Sequence, residues 1–92
     1  MDKITQLMVI TMEECGELTQ VCSKLLRKRH TNNEISEETK AKLEAEFADV
    51  QCMLQLCEEN GLVDQNNIQK GIIGKRHKLS KWSNLIEQQT VV

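Results

Sequence analysis

Residues 4–25, with the sequence ITQLMVITMEECGELTQVCSKL, decide the fold class of this 92-residue chain. Apolar residues recur there at steps of three and four, which is the spacing of one face of an α-helix. The chain has no proline and four glycines, and Phe47 and Trp82 are its two aromatic residues. That composition argues against a β-sandwich or barrel, which needs frequent turn residues and aromatic or β-branched strands. We therefore predict an all-α fold.

Capping signals place the ends of three predicted helices. The predicted N-terminal caps are Asp2, Ser36 and Asp64. The basic residues 27–29 suit the C-terminal end of the first helix, and Asn60-Gly61 is a typical stop for the second. The apolar spacing over residues 79–86 suggests a short fourth helix, and residues 87–92 are predicted to form a loose tail.

The length of the helices sets the predicted architecture. The first two helices are each expected to be roughly 24 residues, or about 36 Å, long. Two such rods and a shorter one cannot enclose a full core, so another chain must cover an apolar stripe. We predict one domain over residues 1–92, an antiparallel bundle of three to four helices completed by homo-oligomerisation as a homodimer or homotetramer. The four cysteines form no Cys-x-x-Cys pair. The residues expected to fill the core are these cysteines, Met8, Met12, Met53 and Trp82.

Charge is distributed unevenly along the chain. Residues 1–64 carry a balance of −6 and residues 65–86 a balance of +5, within a total of −2. The total lacks the strong basicity of a dedicated nucleic-acid binder, so nucleic acid is not expected as a partner. No stretch approaches roughly 18 consecutive apolar residues, and the N-terminus lacks a signal-peptide layout. We therefore expect no membrane span and a cytoplasmic location.

Acidic residues interrupt the apolar stripes of both long helices. Glu14 falls within the stripe of the first helix, and Glu17 lies on the same side three residues later. Glu46 and Asp49 repeat this spacing on the second helix. Carboxylates packed together repel and lose hydration, a conflict that a divalent cation such as Mg²⁺ resolves. The alternative is that the acids form a solvated face of a surface helix.

Two motifs carry a resemblance to a known family. Glu13-Glu14-Cys15-Gly16-Glu17, followed after 28 residues by Glu46-Phe47-Ala48-Asp49, resembles the signature of the MazG-like all-α nucleoside triphosphate pyrophosphohydrolases. That family carries Glu-Glu-x-x-Glu on one helix and Glu-x-x-Asp on the next. The resemblance covers about residues 4–80, and its basic third segment has Gly74 where the family often has asparagine.

The resemblance implies an enzymatic activity. It implies Mg²⁺-dependent hydrolysis of a nucleoside triphosphate between the α- and β-phosphates, which releases a monophosphate and pyrophosphate. Mn²⁺ is expected to substitute for Mg²⁺. A deoxynucleoside triphosphate is the expected substrate, with a purine such as dGTP favoured, in the cytoplasm or in the host cytoplasm if the protein is phage-encoded.

The resemblance also assigns residues to roles. The implied metal ligands are Glu14, Glu17, Glu46 and Asp49. Together with Glu13 they form the implied catalytic set. Glu13 itself has three open roles: it holds a second ion, orients water or faces solvent. The implied phosphate-binding residues are Lys70, Lys75, Arg76 and, as a secondary candidate, Lys24.

A function of another class remains as the alternative. The basic segment at residues 65–86 also suits a non-enzymatic helical interaction module or one associated with nucleic acid. The acidic remainder of the chain would repel a duplex, and no recognisable DNA-binding motif precedes the basic stretch. A requirement for a divalent ion distinguishes the hydrolase from the binding module.

Overall fold

Three helices make up the secondary structure in the computed structural model, which describes residues 1–29 and 34–86. They are α1 (Lys3–Arg29), α2 (Glu37–Glu59) and α3 (Gln65–Trp82). No strand occurs in these residues, so the predicted all-α class is confirmed. The predicted loose tail at 87–92 lies outside the described residues.

Hydrogen bonds confirm all three predicted N-terminal caps. The bonds run from Thr5 N–H to Asp2 Oδ1 (2.8 Å), from Thr39 N–H to Ser36 Oγ (3.1 Å) and from Asn66 N–H to Asp64 Oδ1 (2.8 Å). Each bond satisfies a backbone donor that has no partner within its helix. At the other end of α2, Gly61 adopts a φ of +73°, the left-handed conformation in which the predicted stop places a glycine.

The predicted fourth helix is not formed in the described residues. Helix α3 continues through Gly71 and Gly74 to Trp82, and residues 83–86 are not helical. A helical glycine costs about 1 kcal/mol relative to alanine, and α3 accommodates both. Ser83 ends the helix because its backbone is extended, with φ −145° and ψ 171°. The apolar spacing after residue 78 thus belongs in part to α3 itself.

The chain divides into two compact units, Met1–Asn60 and Gly61–Val92. In the first unit α1 and α2 pack against each other as an antiparallel hairpin. Their direction follows from two contacts: Lys28 near the end of α1 lies 3.5 Å from the Thr39 hydroxyl near the start of α2, whereas Glu14 meets Asp49. The buried apolar side chains of the hairpin are Leu7, Met53 and Cys57.

Several residues expected in the core are exposed instead. Cys57 is buried, but Cys15, Cys22 and Cys52 are exposed, and all four are free thiols. Among the other expected core residues, Met8, Met12 and Trp82 are exposed, Trp82 at 85%. Within the single chain the prediction is wrong for the exposed cysteines and methionines of the hairpin because two packed helices bury only the faces that touch. Trp82 lies outside the hairpin, on α3, where no residue is buried.

Other surfaces remain open to solvent. Helix α3, which constitutes most of the described part of the second unit, contains no buried residue. In the described parts of the chain, no helix combines the length and the apolar character needed to cross a bilayer. The predicted single domain and the oligomeric bundle stay predictions.

Candidate metal centre

Four carboxylates meet on the α1–α2 hairpin. Each offers one oxygen, and these four oxygens lie within 4.8 Å of one another. The four residues, called the acidic cluster below, are Glu14, Glu17, Glu46 and Asp49. Glu14 and Glu46 are half-buried, whereas Glu17 and Asp49 are exposed. The spacing left two alternatives open, a solvated acidic face and two converging acidic pairs, and the structure shows the converging pairs.

Helical periodicity explains how each side chain reaches the acidic cluster. Glu14 lies seven residues after the buried Leu7, and Glu46 lies seven residues before the buried Met53. Seven residues are about two helical turns, so both glutamates lie on the faces that bring α1 and α2 together. Glu17 and Asp49 follow their partners by three residues, which moves them towards the rim of the contact. Both pairs are brought together because the helices are antiparallel.

The surroundings of the two inner glutamates disfavour their charged forms. Burial raises the pKa of Glu14 above its ordinary value, and the charges of Glu17 and Asp49 raise it further. Burial likewise raises the pKa of Glu46, again followed by the charges of Glu17 and Asp49. Desolvation and like charges both oppose ionisation of a carboxyl group. The acidic cluster therefore holds negative charge at a cost that a cation would remove.

Two oxygens of the acidic cluster lack partners. Oε2 of Glu14 and Oε2 of Glu46 are inaccessible to solvent and accept no hydrogen bond. Buried polar atoms are normally paired, so an unpaired acceptor on each helix calls for a donor or an ion. A set of four carboxylates suits a hard divalent cation such as Mg²⁺ or Mn²⁺, which prefers oxygen ligands. The residues present thus fit the metal that the sequence resemblance implies.

The remaining predicted site residues lie elsewhere. Glu13 and Lys24 are exposed on α1 and do not belong to the four-carboxylate group. Lys70, Lys75 and Arg76 are exposed on α3, in the second unit. The structure thus brings together the four predicted metal ligands, and the predicted phosphate-binding residues are not among them.

A surface cleft on α3 is lined by one further positively charged side chain, that of Lys78. The cleft has a volume of about 270 Å³ and is lined by Lys75, Lys78, Leu79 and Trp82. Lys78 was not assigned a role from the sequence. Its spacing of three residues from Lys75 and four from Trp82 places all three on one face of α3, and that spacing was the signal available.

A second cleft lies at the loop end of the hairpin. Its volume is about 250 Å³, and its lining comprises Leu25, Lys28, Arg29, Glu34, Ile35, Ser36 and Thr39. Ser36 precedes Glu46 by ten residues, a distance of about 15 Å along a helix. This cleft is therefore separate from the acidic cluster, and its cations stand beside the carboxylate of Glu34. The acidic cluster is the candidate metal site because its four carboxylates lie together and two of their oxygens are buried without a hydrogen bond.

Comparison with known proteins identifies no relative: no family model, no curated protein and no solved structure matches this chain. The MazG-like resemblance stays a prediction from the two acidic motifs.

Proposed function

We propose that this protein is a divalent-metal-dependent nucleoside triphosphate pyrophosphohydrolase, which hydrolyses the bond between the α- and β-phosphates and releases a monophosphate and pyrophosphate. The observation that carries the proposal is the acidic cluster with its two buried, unpaired glutamate oxygens. Four carboxylates this close create a strong demand for positive charge, and triphosphates reach enzymes as complexes with Mg²⁺.

The metal, Mg²⁺ or Mn²⁺, would be held by Glu14, Glu17, Glu46 and Asp49. When bound, it supplies charge neutralisation at the phosphate oxygens and lowers the pKa of a water molecule. The two glutamates at the helix contact, Glu14 and Glu46, hold the charge in a partly dehydrated environment, where electrostatic interactions are stronger than in water. Glu17 and Asp49 are exposed, so the cluster is open on their side to a substrate.

Positive side chains are assigned to the phosphates of the substrate. The candidates are Lys70, Lys75 and Arg76 on α3 and Lys24 on α1. The guanidinium of Arg76 is the strongest candidate because it binds phosphate oxygens in a bidentate manner, whereas a lysine acts as a point charge. Glu13, exposed on α1 and outside the acidic cluster, keeps its three proposed roles: it holds a second ion, orients water or faces solvent. A deoxynucleoside triphosphate with a purine base is the proposed substrate class.

The proposal also covers assembly and location. The exposed apolar side chains of α1 and α2 favour a homo-oligomer, because contiguous apolar surface is usually covered in a stable protein. The four free thiols suit the cytoplasm, where cysteines remain reduced.

A second candidate function rests on α3. Trp82, exposed beside Lys75 and Lys78, presents an aromatic face among cations, and single-stranded nucleic acid binds such surfaces by stacking and charge. This candidate is a non-enzymatic module. The acidic hairpin opposes it, since a net negative surface repels a polyanion.

A substitution in the acidic cluster tests the hydrolase directly. We expect Glu46→Gln and Asp49→Asn each to lower kcat by at least about 100-fold, which corresponds to roughly 3 kcal/mol of transition-state stabilisation. The reason is that either change removes a negative ligand without changing size. The assay is release of pyrophosphate and monophosphate from each common ribo- and deoxynucleoside triphosphate with Mg²⁺, with helicity checked by circular dichroism.

Glu44→Gln is the matched control. Glu44 is exposed on α2 and outside the acidic cluster, so this variant should retain wild-type turnover. Full activity of both cluster variants would refute the assignment. Salt-dependent binding of nucleic acid that is indifferent to Mg²⁺, with no pyrophosphate released, would favour the binding module instead.

A further inference from the structure

A second stripe of side chains runs along α1, and it carries no charge. The stripe advances by steps of four and three, and its members are Ile4, Met8, Thr11, Cys15, Thr19, Cys22 and Leu26. Cys15 and Glu17 are two residues apart, which is about 200° around the helix. The uncharged stripe and the exposed rim of the acidic cluster therefore lie on different sides of α1.

The large members of the uncharged stripe are open to solvent. The exposed fractions are 54% for Ile4, 41% for Met8 and 66% for Leu26, and the two cysteines are exposed as well. Helix α2 extends this surface. Phe47 follows Glu46 as Cys15 follows Glu14, and in an antiparallel pair such successors lie on the same side. Phe47 is 46% exposed, and Leu54, seven residues later on α2, is 36% exposed.

The uncharged stripe is symmetric about Cys15. Thr11 and Thr19 lie four residues on either side of it, Met8 and Cys22 seven, and Ile4 and Leu26 eleven. A two-fold interface pairs each residue i of one chain with a residue j of the other, and j with i. An antiparallel copy of α1 centred on Cys15 therefore sets Ile4 against Leu26 of the second copy, Met8 against its Cys22, and Thr11 against its Thr19.

From this symmetry we propose that a second copy of the chain docks on the uncharged stripe, with α1 antiparallel to α1 and the two-fold axis at Cys15. The inference specifies the surface used by the homo-oligomer proposed above and rests on that part of the proposal. It does not depend on hydrolysis, since no residue of the acidic cluster belongs to the stripe.

The polar groups within the stripe are already satisfied. The Thr11 hydroxyl donates to the Leu7 carbonyl at 2.6 Å, and the Thr19 hydroxyl donates to the Cys15 carbonyl at 2.9 Å. Covering these threonines therefore leaves no hydroxyl donor unpaired, which removes the main cost of burying them. Their small size, with that of the cysteines, allows two helices to approach closely at the centre, and larger side chains fill the ends.

The apolar area on this face reaches the lower bound of a specific dimer interface. With a fully exposed large side chain taken as roughly 200 Å², the exposed parts of five residues amount to about 500 Å² per chain. Those residues are Ile4, Met8, Leu26, Phe47 and Leu54. Two copies together then offer about 1,000 Å² of apolar surface before the cysteines and threonines are added, and specific interfaces begin near that size.

Oxidation of single exposed cysteines tests the position of the axis. The full chain with Cys22→Ser and Cys52→Ser keeps Cys15 as its exposed thiol, and the matched chain with Cys15→Ser and Cys52→Ser keeps Cys22. Two Cys15 residues at the axis lie within the Cα separation that a disulfide needs. Two Cys22 residues are then about 21 Å apart along the helices and cannot be bridged.

The expected result is a covalent dimer from the Cys15 chain under mild treatment with diamide, and little or none from the Cys22 chain. Equal cross-linking of the two chains, or preferential cross-linking through Cys22, would overturn the proposal.

Charge placed on the stripe provides a second test that needs no cysteine. Thr19→Lys puts an ammonium group into the proposed interface, whereas Gln20→Lys places the same charge on the neighbouring exposed position outside it. Sedimentation equilibrium should show a dimer for wild type and Gln20→Lys, and at least about tenfold weaker association for Thr19→Lys.

Hydrolysis is measured on the same samples, so the two proposals can fail separately. A dimer that cross-links through Cys15 but hydrolyses no nucleotide retains this inference and rejects the enzyme. A monomeric wild type, or equal association of the two lysine variants, contradicts docking of a second copy on the stripe.

Discussion

Glu14 and Glu17 show how position determines the chemistry of identical side chains. They are three residues apart on α1, yet Glu14 is half-buried with a raised pKa, whereas Glu17 is exposed. Glu46 and Asp49 reproduce this difference on α2. The inner glutamate of each pair has lost hydration because it lies at the helix contact, and the outer acid adds like charge to it.

The raised pKa values predict how stability depends on pH without a divalent ion. The pKa of Glu14 and Glu46 in the folded protein lies above the ordinary 4.5. The folded state therefore binds these protons more tightly than the unfolded state does. The stability they contribute is fully present below pH 4.5 and is lost as the pH rises through the raised value. We expect Glu14→Gln, measured with a chelator, to have a higher Tm than wild type at pH 7.

This advantage of Glu14→Gln should disappear as the pH is lowered towards 4.5, where the wild-type carboxyl becomes protonated. Thermal unfolding followed by circular dichroism over a pH series measures both curves, and Glu44→Gln is the control for loss of an exposed charge. Parallel curves for wild type and Glu14→Gln would contradict the raised pKa.

At the scale of the elements, local signals at the helix ends were reliable and apolar spacing beyond an end was not. The caps Asp2, Ser36 and Asp64 all accept the hydrogen bonds expected of them. The prediction of a fourth helix at 79–86 was wrong because α3 continues to Trp82 and the backbone of Ser83 is extended. Apolar spacing shows that residues share a face, but it does not show where the chain leaves the helix.

Two glycines give a matched test of the helix ends. Gly61 has a φ of +73°, whereas Gly16 lies within α1, and an added Cβ would meet no atom within 4 Å at either position. Gly61→Ala should lower the free energy of unfolding by about 1 kcal/mol because an L-residue is strained at positive φ. Gly16→Ala should raise it by roughly 0.5–1 kcal/mol because alanine favours the helix interior.

Urea denaturation measures the free energy of unfolding of both glycine variants. The comparison with wild type holds when the m-value, the dependence of that free energy on urea concentration, is unchanged. The opposite signs are the informative result, since the two substitutions add the same methyl group into open space. Stabilisation by Gly61→Ala would show that the α2 stop does not need a glycine.

At the scale of the whole molecule, repulsion among the four carboxylates of the acidic cluster opposes folding, and a bound cation would reduce it. The acidic cluster gathers four carboxylates, and two of them each hold one unpaired oxygen that water does not reach. An ion that binds only the folded protein stabilises it by about 2.7 kcal/mol at a concentration of 100 times its Kd. For a chain of this size, that energy corresponds to a rise in Tm of roughly 10 °C or more.

We therefore expect Mg²⁺ or Mn²⁺ to raise the Tm of the wild-type protein at neutral pH. The doubly substituted Glu14→Gln, Glu46→Gln chain should lose this shift, because it lacks the two inner carboxylates. NaCl at matched ionic strength is the control for general screening of charge. An unchanged Tm at millimolar Mg²⁺ and Mn²⁺ would contradict a preformed ion site.

The α1–α2 hairpin also shows the limit of a pattern read from one helix at a time. Spacing predicted the pairs Glu14–Glu17 and Glu46–Asp49, and the structure brings them within 4.8 Å. The same spacing did not predict that Cys15, Cys22 and Met8 would be exposed. Helix α1 carries two adjacent stripes, the one that contains Leu7 and Glu14 and the uncharged one that contains Cys15, and periodicity alone does not say which of them α2 covers.

By itself, the sequence determined the helical class, the three caps and the placement of two acids on one side of each helix. These features depend on backbone hydrogen bonds and turns that span three or four residues, so a short stretch of sequence is enough to predict them. The tertiary structure alone decided that the two acidic pairs meet, that their inner oxygens are buried without partners, and which stripe of α1 stays open. Those outcomes depend on the direction and register of α1 against α2, which are set by contacts between residues far apart in the chain.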